Sequence, residues 1–107
     1  MAQRQDRAMT DRDMLLLALL DEDWRPYNIV PLRQDWRGAF GRLLDADGRW
    51  LALIQQRPVH ACPKPRPDDI MLTRTLARRL RPLDMKLADH IIHAGETRFS
   101  FRSAGLL

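Results

Sequence analysis

Chemically versatile side chains gather in one proline-rich stretch of the sequence and at the start of the segment after it. His60 and Cys62 lie two positions apart, and Asp69 follows beyond a run of prolines. An imidazole, a thiolate and a carboxylate together offer three protein ligands to a metal ion, with a fourth position left for an activated water. The spacing matches no established ligand pattern, so ordinary loop residues are the competing interpretation. A metal-dependent hydrolase with this ligand set is one alternative.

A second chemical feature is a row of arginines after Asp69. Arg74, Arg78 and Arg81 recur at steps of four and three residues, which places them on one side of a helix. Such a stripe could bind phosphates, and the net charge of +4 suits an acidic partner. No aromatic side chain of this segment could stack on bases, so a solvated charged face is the competing interpretation. Nucleic-acid binding is therefore a second alternative.

The elements that must position these residues begin with a hairpin. The apolar run "MLLLALL" at 14–20 and the strand-like segment 24–30 flank the turn-forming "DED". Pro26 indicates that the second arm lies at an edge of the sheet. Residues 1–13 have no apolar period, so we expect a disordered or frayed lead there.

Helices and strands are expected to alternate after the hairpin. Apolar residues at three- and four-residue steps predict an amphipathic helix, and the run "WLALIQ" predicts a strand in the middle of the sheet. The predicted segments are a helix at 34–45, a strand at 50–55, a loop at 57–67, a helix from Pro67 to Pro82, and two strands around a turn at 94–96. The order ββαβαββ predicts an α/β domain over 14–107, with two main helices packed on a mixed sheet.

Composition limits where such a domain functions. The single cysteine excludes an internal disulfide and is typical of a reducing compartment, so we expect the cytoplasm. The longest apolar run, at 14–20, is too short to cross a bilayer, and the residues before it lack the features of a signal peptide. No membrane association is expected.

Three motifs in the C-terminal half resemble a known family. "RPDDIMLT", "DHII" and "SFRSAGLL" occur in this order, and RadC-type JAB/MPN domains typically read "HNHPSGDPxPSxxDxxLTxxL", "LDHxIIG" and "SFRxxGLL". The resemblance covers residues 50–107, and extends more loosely to the hairpin and the first helix. It implies a JAB/MPN-like fold. The family's link with DNA repair is not carried over, because membership of a family does not establish an activity.

The resemblance also implies where a JAMM-type zinc site would lie. The family uses two histidines of an HxH pair and an aspartate at the start of the second helix. With the sequences aligned on "PxP" and "DI", the two histidine positions fall on Gln56 and Pro58, the serine of the motif falls on Arg66, and the aspartate falls on Asp69. Glutamine is a poor zinc ligand and proline is none, so only Asp69 remains of the ligand set.

Further consequences follow from this loss. The family's glutamate base would fall near Ala18 and Leu19, while Glu22 is out of register. We therefore expect no cofactor, with the family's zinc lost, and no catalysis. Asp69 should instead serve the helix start. The favoured function is a non-catalytic domain that binds a protein partner or forms a homo-oligomer, with the edge of the first hairpin as its surface.

Two further histidines lie on the strand after the second helix. Alternation puts His90 and His93 on opposite faces of the sheet, so they cannot join in one site. We expect His90 to be structural, with a carboxylate near the sheet edge as its hydrogen-bond partner.

Overall fold

A computed structural model describes residues 13–32, Gly41 and 49–107. The predicted helix at 34–45 lies outside these residues except for Gly41, and the predicted lead at 1–13 lies outside them except for Asp13. The described elements are strands β1 (Met14–Leu20), β2 (Pro26–Pro31) and β3 (Trp50–Arg57), helix α1 (Pro67–Leu80), a 3-10 turn (Arg81–Leu83), and strands β4 (Lys86–Ala94) and β5 (Thr97–Ser100).

The five strands form one mixed sheet in the order β2-β1-β3-β4-β5. β1 is antiparallel to both β2 and β3, β3 and β4 are parallel, and β5 returns antiparallel to β4. Parallel neighbours need a crossover connection, and α1 supplies it between β3 and β4. The α/β class, the mixed sheet, the central position of β3 and the edge position of β2 are confirmed.

The second arm of the hairpin begins later than predicted, at Pro26 instead of residue 24. Trp24 has a φ of 62°, which belongs to a turn and not to a strand. The carboxylate of Asp21 holds this turn, since its Oδ1 accepts the backbone N–H groups of Asp23 and Arg25 at 2.9 Å each. The turn therefore includes Trp24.

Helix α1 packs one face against the sheet. Pro67 occupies the first turn, where its missing N–H is not needed, and a 3-10 turn containing Pro82 follows the helix. Its buried residues are Asp69, Thr73, Leu76 and Leu80. They recur at steps of four and three residues, and the two leucines join a core with leucines of β1 and β3. Each fully buried leucine contributes about 1.5–3 kcal/mol. No helix of the described part of the chain is both long and apolar enough to span a membrane.

Alternation along β3 separates its side chains between two faces. Leu53, Gln55 and Arg57 are buried, and the latter two contact the first turn of α1. Gln56 is exposed, and alternation directs it to the opposite face. Polar residues that continue the buried side of this strand therefore meet the start of the helix.

The segments "DHII" and "SFRS" are joined in space. Asp89 accepts hydrogen bonds from the backbone N–H groups of His90 and Arg102 and from the hydroxyl of Ser100. Phe101 is fully buried, and its ring stacks on the imidazole of His90 with centroids 4.2 Å apart. These residues fasten the C-terminal turn to β4 and close one side of His90.

Candidate functional site

A buried polar network lies where β3 meets the start of α1. Arg57 and Gln55 come from β3, Asp69 comes from the first turn of the helix, and Asp13 directly precedes β1. The antiparallel pairing of Met14 with Gln56 brings Asp13 beside the end of β3. The side chains of Arg57 and Asp69 are only 2% and 8% exposed. Three charged groups are therefore largely removed from water in a small volume.

Arg57 is the centre of the network. Its Nη2 donates to Oδ2 of Asp69, and its Nε donates to Oδ2 of Asp13 at 3.3 Å. Its Nη1 donates to the backbone carbonyl oxygens of Cys62 and Lys64, at 3.0 and 2.7 Å. One guanidinium thus bridges two carboxylates and holds the proline-rich loop to the sheet.

Asp69 accepts more than the bond from Arg57. Its Oδ2 also accepts the backbone N–H of Arg66 at 2.7 Å, so Asp69 does serve the helix start. Its Oδ1 accepts the amide of Gln55 at 3.0 Å. Burial alone would raise the pKa of Asp69, but the hydrogen bonds from Arg66, Gln55 and Arg57 and the charge of Arg57 outweigh it and lower the pKa. The carboxylate is therefore ionised at neutral pH.

Gln55 connects the charged network to His90. Its amide nitrogen donates to Asp13 and Asp69, so its Oε1 faces Nε2 of His90 at 2.8 Å. A carbonyl oxygen can only accept, so Nε2 carries the proton. Nδ1 lies against the hydroxyl of Thr73, which is also 3.1 Å from the carbonyl oxygen of Asp69. Burial is the main reason why the pKa of His90 falls to about 4, so the imidazole is neutral at pH 7.

The prediction that a carboxylate bonds to the His90 ring is wrong. The ring bonds to an amide and a hydroxyl, while the neighbouring Asp89 binds the backbone of His90 and the C-terminal turn. Alternation gives the physical reason, because side chains of adjacent strand residues point to opposite faces. His90 and His93 are separated in the same way.

Other predicted site residues lie apart from the network or at its edge. Gln56, Pro58, His60 and Cys62 are exposed, and Cys62 contributes only its backbone carbonyl oxygen. Arg66 is half exposed and bonds to Asp13 at 3.0 Å. Within residues 13–32, 41 and 49–107, no three His, Cys, Asp or Glu side chains are grouped to hold a metal ion. The structure does not assemble His60, Cys62 and Asp69 into a ligand set.

The family's zinc does not fit beside Asp69. Both carboxylate oxygens already accept hydrogen bonds, from the guanidinium of Arg57 and the amide of Gln55. A cationic side chain next to the carboxylate opposes a divalent cation there, and the nearby imidazole of His90 is already bonded to Gln55 and Thr73. Within the described residues, no three His, Cys, Asp or Glu side chains are placed to complete a ligand set. Ala18 and Leu19, near the position of the family's glutamate, are fully buried apolar residues, and Glu22 is exposed in the hairpin turn.

Sequence reasoning missed Gln55, Arg57 and Asp13. The signal for the first two was available, because both continue the buried alternation of Leu51 and Leu53. A charged residue on a buried face needs an ionic partner, so the position of Arg57 predicts a nearby carboxylate such as Asp69. Asp13 carried no such signal, since it precedes the apolar run of β1.

The arginines of the second predicted helix and the turn after it are exposed, as expected for Arg74 and Arg78. Arg81 is exposed as well. None of these three side chains contributes to the Asp69 network, and the basic stripe is therefore a separate surface.

Replacing Asp69 with alanine should lower the free energy of unfolding by about 3–5 kcal/mol, because the buried guanidinium of Arg57 loses a charged partner. Urea denaturation measures this loss. Asp68→Ala is the matched control, since the neighbouring carboxylate is exposed and should matter far less. Equal losses in the two variants would contradict a stabilising ion pair.

His90 should make stability depend on pH. Its folded pKa of about 4 lies below the unfolded value of 6.5, so the unfolded chain binds the proton first as the pH falls. Its contribution is complete above pH 6.5 and is lost towards pH 4, which amounts to about 3 kcal/mol. Urea denaturation across this range should give a slope that is absent in His90→Gln and kept in His93→Gln. An unchanged slope in His90→Gln would refute this assignment.

Comparison with known proteins agrees with the fold and the motifs. A family described as "RadC-like JAB domain" matches residues 31–106. The chain is 44% identical over 45 residues to UPF0758 proteins of Neisseria meningitidis serogroup C and Neisseria gonorrhoeae. That region is 42% of this chain and 20% of each relative, so the chain spans about a fifth of the length of these relatives. Since the family match covers well over half of its residues, the chain belongs to the RadC-like JAB domain family.

Proposed function

We propose that this chain is a non-catalytic RadC-like domain that works by binding another protein. The observation that carries the proposal is the ion pair between Arg57 and Asp69. A catalytic zinc needs three protein ligands and an open position for water. Here the one ligand that the family resemblance leaves in place is bound to a guanidinium and an amide.

The contacts of Asp69 favour a revised alignment of the lost HxH pair. Gln55 and Arg57 are the strand residues that bond to Asp69, whereas Gln56 is exposed. A shift of one residue moves every strand side chain to the other face. If the HxH pair corresponds to Gln55 and Arg57, Pro58 matches the proline after "HNH", and the loop before Asp69 is one residue longer than in the family motif.

This alignment predicts that Gln55→His combined with Arg57→His creates a zinc site with Asp69. The double variant should bind about one zinc per chain, and zinc should raise its melting temperature because binding to the folded state stabilises it. Elemental analysis and thermal melts with and without zinc measure both. The matched control, Gln56→His with Pro58→His, should bind no stoichiometric zinc. The reverse result would restore the original alignment.

The proposed partner surface is the edge of β2 that faces away from β1, with which no other strand of the described residues pairs. The backbone N–H of Leu32 bonds to the carbonyl oxygen of Leu15 at 2.8 Å, in line with the pairing of Val30 and Leu17. Because hydrogen-bonded and non-bonded pairs alternate in an antiparallel ladder, the N–H and C=O of Ile29 point away from β1. An extended partner chain could bond to these groups.

Prolines limit how much of the edge is available. Pro26 and Pro31 form the two ends of β2, and neither has an N–H to offer. Between them, Tyr27 and Ile29 are 49% and 52% exposed. Only the few residues between the two prolines can bond to another strand. Such a short edge favours a specific partner over aggregation through continuous sheet pairing.

Ile29→Pro tests this surface, because it removes the outward N–H without removing a bond between β1 and β2. Partners captured from cells by the wild-type chain and by Ile29→Val should be lost with Ile29→Pro, as measured by quantitative mass spectrometry. Thermal melts check that the proline variant stays folded. A partner captured equally by all three chains would refute the edge as the binding surface.

Nucleic-acid binding remains a second candidate because Arg74, Arg78 and Arg81 are all exposed. It requires retardation of labelled DNA or RNA that weakens steeply with salt. Arg74→Glu with Arg78→Glu should abolish that retardation. Such a result would replace the protein-binding proposal with this one.

A further inference from the structure

A pocket with a volume of about 730 Å³ lies at the end of the sheet where β1 turns into β2. Its volume is in the range of small-ligand sites. The described residues that line it are Leu20, Asp21, Glu22, Trp24, Tyr27, Arg49 and Trp50. None of them belongs to the Asp69 network, so the pocket is a separate site.

Two indoles and a phenol form the aromatic part of the pocket. Trp24 and Trp50 have ring centroids 5.8 Å apart, and the angle of 41° between the ring planes keeps them from stacking face to face. Trp24 and Tyr27 are 41% and 49% exposed, so both residues still offer surface to a ligand. Aromatic side chains with open surface stack on the flat rings of nucleobases. A flat heterocycle therefore suits this part of the pocket.

Trp24 has a backbone conformation that a bulky residue rarely adopts. Its φ of 62° lies in the left-handed region, which glycine and asparagine adopt far more easily. Asp21 holds the turn in this conformation by accepting the backbone N–H groups of Asp23 and Arg25. Strained positions of this kind cluster at sites that bind ligands. The turn thus keeps an indole beside the pocket where a smaller residue would be less strained.

Three cationic side chains surround the two indoles. Arg49 lines the pocket itself. The guanidinium of Arg102 lies 4.5 Å from the ring centroid of Trp24, and the ammonium of Lys86 lies 5.6 Å from that of Trp50. Within the described residues, none of these three cations forms an ion pair. Their charges are therefore available to an anion that enters the pocket.

Two carboxylates of the lining, those of Asp21 and Glu22, act in the opposite sense. The three cations outnumber them, which leaves the surroundings of the two indoles with an excess of positive charge. The carboxylate of Asp21 is also engaged within the turn, because its Oδ1 accepts two backbone N–H groups at 2.9 Å each. Glu22 is thus the main group that opposes an anion, and the balance favours a ligand with negative charge.

We propose that this pocket binds a nucleotide. The base lies against the indoles, and the phosphates pair with the three cations. Arg102 and Lys86 are exposed, so their long side chains can reach a phosphate beside the rings. The combination of stacking rings and cations is the one that proteins use to hold nucleotides without reading their sequence. This inference goes beyond the proposed function and does not depend on it.

Four probes test the proposal: adenosine diphosphate, adenosine, pyrophosphate and a single-stranded oligoadenylate. Each is titrated into the full chain while NMR follows the indole N–H signals, assigned with Trp24→Phe and Trp50→Phe. Adenosine diphosphate should shift the signals of Trp24 and Trp50. It should bind about tenfold more tightly than adenosine or pyrophosphate, because each of these lacks one half of the contacts.

The oligoadenylate distinguishes the two sources of this chemistry. Displacement of adenosine diphosphate by the oligoadenylate at a lower concentration than by adenosine diphosphate itself would identify a nucleotide within a single strand as the ligand. Weaker or absent competition would identify a free nucleotide. Either result is compatible with the site, because both ligands carry a base and a phosphate.

Variants separate the two kinds of contact. Trp24→Gly should lose most of the affinity and keep the turn, because glycine suits positive φ. Arg102→Gln should weaken adenosine diphosphate several-fold without weakening adenosine. Arg98→Gln is the matched control, since this exposed arginine lies on β5 towards the other end of the sheet. Glu22→Gln should instead strengthen binding, because it removes a carboxylate that repels the phosphates.

Thermal melts check that each variant is folded, and Arg102→Gln and Glu22→Gln decide the matter if Trp24→Gly is not. The inference is overturned if adenosine diphosphate shifts neither indole signal, or if pyrophosphate binds as tightly as adenosine diphosphate. Equal losses in Arg102→Gln and Arg98→Gln would show that only the overall charge of the chain matters and would refute the pocket. Weaker binding after Glu22→Gln would refute it as well, because a carboxylate that contributes to affinity implies a positive ligand.

Discussion

The buried pairing of Arg57 with Asp69 is the constraint on which the rest of the site depends. Transferring charges out of water costs several kcal/mol for each ion, so the guanidinium must find partners for nearly all of its donors. It finds them in two carboxylates and two carbonyl oxygens of the loop. The path of the loop, the start of α1 and the residue before β1 are thereby fixed relative to β3 by one side chain.

Residues of the family motifs stabilise the fold of this chain through hydrogen bonds and packing. Asp89 and Ser100 fasten the C-terminal turn, and Phe101 seals His90 against β4. His90 then orients the amide of Gln55, which completes the hydrogen bonds of Asp69. Every buried side-chain nitrogen and oxygen within the described residues has a hydrogen-bond partner. A polar centre that is fully satisfied in this way rigidifies the fold.

Much of the fold followed from local sequence patterns. The apolar runs of β1 and β3, the prolines around α1 and the alternation of the last strands gave correct elements, while the start of β2 was displaced because a turn conformation of Trp24 leaves no periodic signal. The site was harder to predict from the sequence. Aspartate at the helix start was found from its motif, but the partners of Asp69 depend on which face each residue of β3 occupies. A motif alignment does not determine that face when the following loop can vary by one residue.

The interlocking of Gln55 with its neighbours constrains how this chain could change over evolutionary time. A histidine at position 57 alone would remove the guanidinium that Asp13 and Asp69 share, and a histidine at position 55 alone would remove the amide oxygen that accepts the Nε2–H of His90. Each single step breaks bonds before any ligand set exists to replace them, and buried groups left without partners are costly. Histidines introduced at these two positions one at a time must therefore pass through less stable variants, so the network favours keeping Arg57.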